Sequence, residues 1–64
     1  MENQVSKLFD EMQTVLDNSQ GDVMKFCEGN NSAGTRVRKA MQAVKALAQE
    51  VRTEVQEQKN AEWA

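Results

Sequence analysis

Apolar residues recur every three or four positions through the first half of the chain. The repeating positions are Val5, Leu8, Met12, Val15, Ser19, Asp22 and Phe26. All of them except Ser19 and Asp22 are apolar, and the residues that widen the stripe on one side are Phe9, Leu16 and Val23. Steps of three and four follow the period of an α-helix with one apolar face. The pattern therefore predicts an amphipathic helix over about residues 3–28.

Gly21 is the weak point of this first helix. A glycine in a helix interior costs roughly 1 kcal/mol relative to alanine, and Gly21 stands within the polar stretch from Asn18 to Asp22. We expect a continuous helix that is loosened or bent at this glycine, with a short break as the alternative.

The same spacing returns in the second half of the chain. Its apolar positions are Val37, Ala40, Val44, Leu47 and Val51, with Met41, Ala48 and Val55 beside them. Glu54 and Gln58 occupy the next inward positions, so the apolar seam fades after Val55 and the last turns should be more exposed. We predict a helix over about residues 33–60, followed by a frayed end at residues 61–64.

The residues between the two helices predict a short turn over residues 29–32. Gly29 can adopt a positive φ and end the first helix. Asn31 or Ser32 can accept hydrogen bonds from free backbone N–H groups and begin the second helix. Because a link this short joins antiparallel helices, we predict an all-α fold, a two-helix hairpin that forms a single domain over residues 1–64.

A chain of 64 residues buries little of its surface and is marginally stable alone. Small domains usually need disulfides, a metal or a partner chain. Cys27 is the only cysteine and histidine is absent, which excludes an internal disulfide and a zinc site. We therefore predict a homodimer or higher homo-oligomer, in which two hairpins form a four-helix bundle. The alternative is packing against a different partner. Cys27 is expected to be a small buried or boundary side chain.

The composition offers no catalytic chemistry. General acid–base catalysis at neutral pH most often uses histidine, and there is none. Because the carboxylates mostly flank the predicted core, we expect a solvated face, with no enzyme activity, cofactor, metal or small-molecule substrate. No apolar run approaches the roughly 20 residues of a membrane span, and the first residues do not form a signal peptide. We expect a cytoplasmic protein without a membrane partner.

The net charge of −2 is unevenly distributed. Residues 1–30 carry six acidic and two basic residues, whereas residues 31–64 carry six basic and four acidic residues. The second helix contains a basic residue every seven positions. These residues, here called the basic row, are Arg38, Lys45, Arg52 and Lys59. Such a row fits the phosphates of a nucleic acid. Alternatively, it pairs with acids of the first helix or lies at a coiled-coil boundary.

Further basic residues stand where the second helix begins. Arg36, Arg38 and Lys39 lie in its first turns, where their charge opposes the helix dipole. Free N–H groups at a helix start favour anions, and these side chains add positive charge for a bound phosphate. The alternative is an ordinary helix cap followed by surface arginines.

The segment from Glu28 to Asn60 resembles the conserved helical region of the chlamydial linker-histone-like (histone H1-like) bacterial protein family. That family shares a Gly-Asn-x-x-Ala-(Gly/Ala)-x-Arg-x-Arg pattern, followed by a helix with regularly spaced Lys and Arg. The matching residues are Gly29, Asn30, Ala33, Gly34, Arg36, Arg38, Lys45 and Arg52. Well-known members continue into a long Lys/Ala-rich tail that this sequence does not contain, so it resembles a short form.

The resemblance implies a small nucleoid-associated protein that binds duplex DNA without strong sequence preference. The residues expected to contact phosphates are Arg36, Arg38, Lys39, Lys45 and Arg52. The alternative is a helical-hairpin oligomerisation or protein-interaction module with no nucleic-acid role. The two hypotheses differ in whether the basic row faces solvent or pairs with Asp10, Glu11 or Asp17.

Overall fold

Two helices make up the part of the chain that the structure, a computed structural model, describes. It describes the backbone of residues 3–63 and the side chains of residues 3–60. The first helix, α1, spans Gln4–Cys27, and the second, α2, spans Asn31–Trp63. The two helices pack against each other along α1, which confirms the predicted all-α hairpin.

The ends of α1 are fixed by local hydrogen bonds. Asn3 caps its start, because the Asn3 Oδ1 accepts from the backbone N–H of Val5 at 2.9 Å. At the other end, the N–H of Gly29 donates to the carbonyl of Phe26 at 2.9 Å, and the N–H of Asn30 donates to the carbonyl of Lys25 at 3.0 Å. This pair of bonds is a Schellman motif. It requires a positive φ at Gly29, which is 102°, as predicted.

The start of α2 differs from the prediction. Asn30, not Asn31 or Ser32, is the capping residue, because its Oδ1 accepts from the N–H of Ala33 at 3.0 Å. The helix consequently begins about two residues earlier than the apolar period indicated. It also continues to Trp63. Of the end predicted to fray, the side chains of residues 61–63 and all of Ala64 lie outside the described residues.

Most residues of the inner seam between the helices are those predicted from the period. The buried residues among those described are Leu8 and Ser19 in α1 and Ala33 in α2, of which Ala33 was not part of the predicted stripe. Most other seam positions are half-buried. The Ser19 hydroxyl donates to the carbonyl of Val15 in its own helix, so this buried polar group is satisfied. Ser19 and the small Ala40 of α2 border the same shallow hollow at the centre of the seam.

The helix α1 passes through Gly21 without interruption. Space around this glycine is open, since an added Cβ would meet no atom within 4 Å. At the turn, Gly34 has the opposite environment. A Cβ there would lie 2.6 Å from the ring of Phe26, which rests across the start of α2.

The open end of the hairpin is closed by two side-chain amides. The Asn3 Nδ2 donates to the Gln58 Oε1 at 2.8 Å, and the Gln58 Nε2 donates to the Asn3 Oδ1 at 2.7 Å. Glu54, the other polar residue at an inward position, accepts from Gln58 at 3.2 Å. The end of the seam is therefore held by hydrogen bonds where apolar residues run out.

The hairpin is thin and extended for its mass. Its radius of gyration is 15.3 Å, compared with about 11 Å for a compact domain of this length. Its accessible surface is 5231 Å², compared with roughly 4,100 Å² for a typical monomer of this mass. Among the described residues, no large side chain is fully buried. The expectation that Cys27 is a buried or boundary side chain is wrong, because this last residue of α1 is exposed.

Candidate nucleic-acid interface

The hairpin has two broad faces, which can be told apart by contacts between the helices. On one face the Arg36 Nε donates to the Asp22 Oδ1 at 2.8 Å. Gln4 and Leu8 of α1 border a hollow on the same face together with acidic residues of α2, namely Glu50, Glu54 and Glu57. Because the helices are antiparallel, the residues on the other side of each inward row share the opposite face.

The basic row lies along the outer edge of that opposite face. All four of its side chains are exposed, and over residues 3–60 none of them forms an ion pair with an acid of α1. The row therefore faces solvent, as the DNA hypothesis expected. Its span from Arg38 to Lys59 is about 32 Å at 1.5 Å of rise per residue.

The other two predicted contact residues are placed differently. Arg36 and Lys39 are exposed. The Arg36 side chain is half-exposed and is held by Asp22 on the face that carries the acids, whereas Lys39 borders a hollow together with Arg38. The structure thus brings Arg38, Lys45 and Arg52 into one line and separates Arg36 from it. This separation follows from the helix period, since Arg36 and Arg38 lie about 200° apart around α2.

Within residues 3–60, no group of acidic residues and cysteine is arranged to hold a metal ion. Neither helix, over the described range, has the length and apolar character needed to cross a membrane.

Beside the basic row lies a surface that the sequence period placed only at the margin of the core. We call it the apolar face, and its residues are Phe9, Leu16, Val23, Met41, Ala48 and Val55. Phe9 is 54% exposed and Leu16 is 46% exposed, and Val23, Met41 and Val55 are exposed as well. The sequence contains a signal for this surface, because both helices carry these residues at steps of seven. The period alone could not show that these side chains remain exposed in the hairpin formed by the described residues.

The apolar face continues to the turn end of the hairpin. There Phe26, Gly34 and Val37 line an open hollow, and Arg38, the first residue of the basic row, stands at its rim. The period placed Phe26 in the inward stripe, but it is 52% exposed. Its ring lies against Gly34, where a side chain would not fit.

The fold, the Gly29–Asn30 turn and the regular basic residues of α2 can now be compared with known proteins. No curated protein and no solved structure matches the chain. The family described as Histone H1-like protein Hc1 matches residues 6–61, which include α1 from its first turn, the turn and nearly all of α2. The match confirms the resemblance inferred from the second half and extends it to the first helix, so the chain belongs to the Histone H1-like protein Hc1 family.

Proposed function

We propose that this protein is a small histone-like, nucleoid-associated protein that binds duplex DNA without sequence preference. The observation that carries the proposal is the basic row, exposed along its full length and without an acidic partner from α1 in the described part of the chain. Membership in a histone H1-like family supports the same conclusion.

The spacing of the basic row suits the backbone of DNA. Double-stranded DNA carries one negative charge per roughly 1.7 Å of its axis. A row about 32 Å long therefore faces more phosphates than it has cations. Contacts of Lys and Arg with phosphates carry no sequence information. The proposed contacts are Arg38, Lys45 and Arg52, with Arg36 and Lys39 reaching phosphates around the start of α2.

The net negative charge of the chain is compatible with this role because the charges are separated. The first thirty residues carry the excess of acids, and the acids of α2 that border the hollow with Gln4 lie on the other face. Near the basic row, a phosphate is influenced mainly by the cations next to it, because solvent screens charges beyond about 10 Å at 0.1 M salt. We accordingly place the protein with the nucleoid, in the cytoplasm.

Binding to a fluorescent random-sequence duplex at 50 and 200 mM salt tests the proposal. The affinity of the unchanged protein should fall severalfold or more between the two concentrations, because binding releases condensed counterions. The double variant Lys45→Gln/Arg52→Gln should bind more weakly at 50 mM salt. The slope of log affinity against log salt concentration should be less steep for this variant, by about one for each phosphate that it no longer neutralises.

A matched control removes the same amount of charge elsewhere. Lys7 and Lys25 are exposed residues of α1, and the variant Lys7→Gln/Lys25→Gln should retain the salt dependence of the unchanged protein. An equal decrease in affinity in both variants would show that only net charge matters. Absence of binding at both salt concentrations would refute DNA binding by this chain.

The exposed apolar face supports a second part of the proposal, which is self-association into a homodimer with a four-helix bundle. It also favours the second candidate function, an oligomerisation or protein-interaction module without a nucleic-acid role. The DNA experiment separates the two functions, because a pure interaction module would associate through the apolar face and leave the duplex unbound.

A further inference from the structure

We infer that the apolar face is covered by a second copy of this chain in one specific arrangement, with α1 of each copy lying on α2 of the other. The inference rests on the proposed self-association and specifies its geometry. It does not depend on DNA binding. The twofold axis of this dimer runs parallel to the helices, between the two hairpins.

The size of the surface fits a second copy. The hairpin extends over 53 × 19 Å, so one broad face is comparable with the roughly 800 Å² that each partner contributes to a standard interface. The exposed residues of that face come from both helices. An isologous contact, in which the same surface is used twice, covers them all.

The apolar residues interlock in this arrangement. Contacts within the hairpin join Asn3 to Gln58 and Asp22 to Arg36, so residues at the same height have numbers that add up to about 60. A twofold axis parallel to the helices leaves each residue of the partner at the same height as its counterpart, without a shift along the axis. Where α2 of one chain lies on α1 of the other, the side chains of the two chains alternate along the contact. In order of height they are Val55, Phe9, Ala48, Leu16, Met41 and Val23. Successive side chains lie about three to four residues apart, as knobs and holes require.

The charges at the edge alternate in the same way. Asp10 and Asp17 are exposed on the outer side of α1, next to the edge along which α2 of the partner would lie. Ordered by height, the charged residues along this edge are Arg52, Asp10, Lys45, Asp17 and Arg38. The acids come from one chain and the bases from the other. Cross-helix pairs of this kind select partner and orientation in helical bundles. They would lie at the exposed rim of the dimer, where an ion pair contributes little free energy, so the basic row would stay available to phosphates.

The other twofold arrangement lacks this complementarity. If α2 lay on α2 of the partner, two copies of the basic row would meet along one edge. Like charges brought close together oppose association. The apolar residues would still be covered, so charge decides between the two arrangements.

Disulfide trapping between two single-cysteine chains tests the geometry. Cys27→Ser removes the native thiol, and Gln20→Cys is placed in one chain and Met41→Cys in the other, which is distinguished by mass. Both positions are exposed. They lie at about the same height on the two helices that the proposed contact would bring together, and a disulfide requires a Cα separation of roughly 4–7 Å. Each chain carries a single cysteine, so no disulfide can form within one hairpin.

Mixed and oxidised at low micromolar concentration, the two chains should form the mixed disulfide as the main product. The control pair Thr14→Cys and Gln42→Cys, at exposed outward positions, should remain uncrosslinked. A disulfide between two Met41→Cys chains would place α2 on α2 and overturn the inference. Sedimentation of the folded protein as a monomer at the same concentration would also overturn it, without bearing on the DNA experiment.

Discussion

Gly21 and Gly29 show how one residue type has opposite consequences at two places in the same hairpin. Gly21 lies inside α1, with helical geometry and open space around it. Gly29 lies in the turn with a φ of 102°, which side chains with a Cβ rarely adopt. The first glycine is a cost to the helix, whereas the second is required by the Schellman motif.

The same substitution should therefore change the free energy of unfolding in opposite directions. Gly21→Ala should raise it by about 1 kcal/mol, because alanine has the higher helix propensity and nothing obstructs its methyl group. Gly29→Ala should lower it by roughly 1–3 kcal/mol, because a non-glycine residue is strained at this φ. Urea unfolding at one fixed protein concentration measures both. A stabilising Gly29→Ala would contradict the structure of the turn.

At the scale of the helices, the period of the sequence predicted most of the residues that face inward, with Phe26 as an exception. Leu8, Ser19 and Val44 lie on the seam because burial follows the 3.6-residue repeat, whatever the polarity of an individual residue. The capping residue of α2 was not predictable in the same way. Asn30, Asn31 and Ser32 are all suitable caps, and only the Schellman motif, which extends through Asn30, determines which one is used.

The apolar face shows a second limit of prediction from sequence. The period marked Phe9 and Leu16 as a flank of the stripe, yet it does not say whether the chain itself provides a neighbour for that flank. In the hairpin that the described residues form, one side of each stripe remains exposed. The placement of the basic row on the same edge was predictable from its seven-residue step, but its freedom from ion pairs with α1 required coordinates.

The reciprocal amide contact between Asn3 and Gln58 should couple the ends of the two helices. In a double-mutant cycle with Asn3→Ala and Gln58→Ala, we expect a coupling energy of about 0.5–1.5 kcal/mol, since two hydrogen bonds link exposed partners. Asn3→Ala alone should cost about 1 kcal/mol more than Gln58→Ala, because it also removes the cap of α1. Additive effects within error would show that the contact contributes nothing in solution.

At the scale of the whole molecule, the small core makes stability depend on what covers the apolar face. A single hairpin buries only one side of each stripe, and an isolated domain of this size is marginal. Association that requires the folded chain raises its apparent stability by mass action, so the melting temperature should increase with protein concentration.

Leu16→Glu tests this dependence, because it places a charge at the middle of the apolar face. The proposed dimer should dissociate at a concentration at least about tenfold higher than that of the unchanged protein, since a charge would have to be buried without a partner. Sedimentation and the concentration dependence of the melting temperature report the change. Gln42→Glu adds the same charge at an exposed outward position and should leave both unaffected. Equal effects of the two variants would exclude the apolar face as the contact surface.

The amide pair between Asn3 and Gln58 also distinguishes one end of the hairpin from the other. It brings the first turn of α1 and the end of α2 to one pole, while the Gly29 turn occupies the other. A twofold axis parallel to the helices keeps this polarity, so four chain ends would gather at one pole of a dimer and two turns at the other. Anything attached to either end would then project away from the turns, leaving Arg36, Arg38 and Lys39 of both copies unobstructed at the opposite pole.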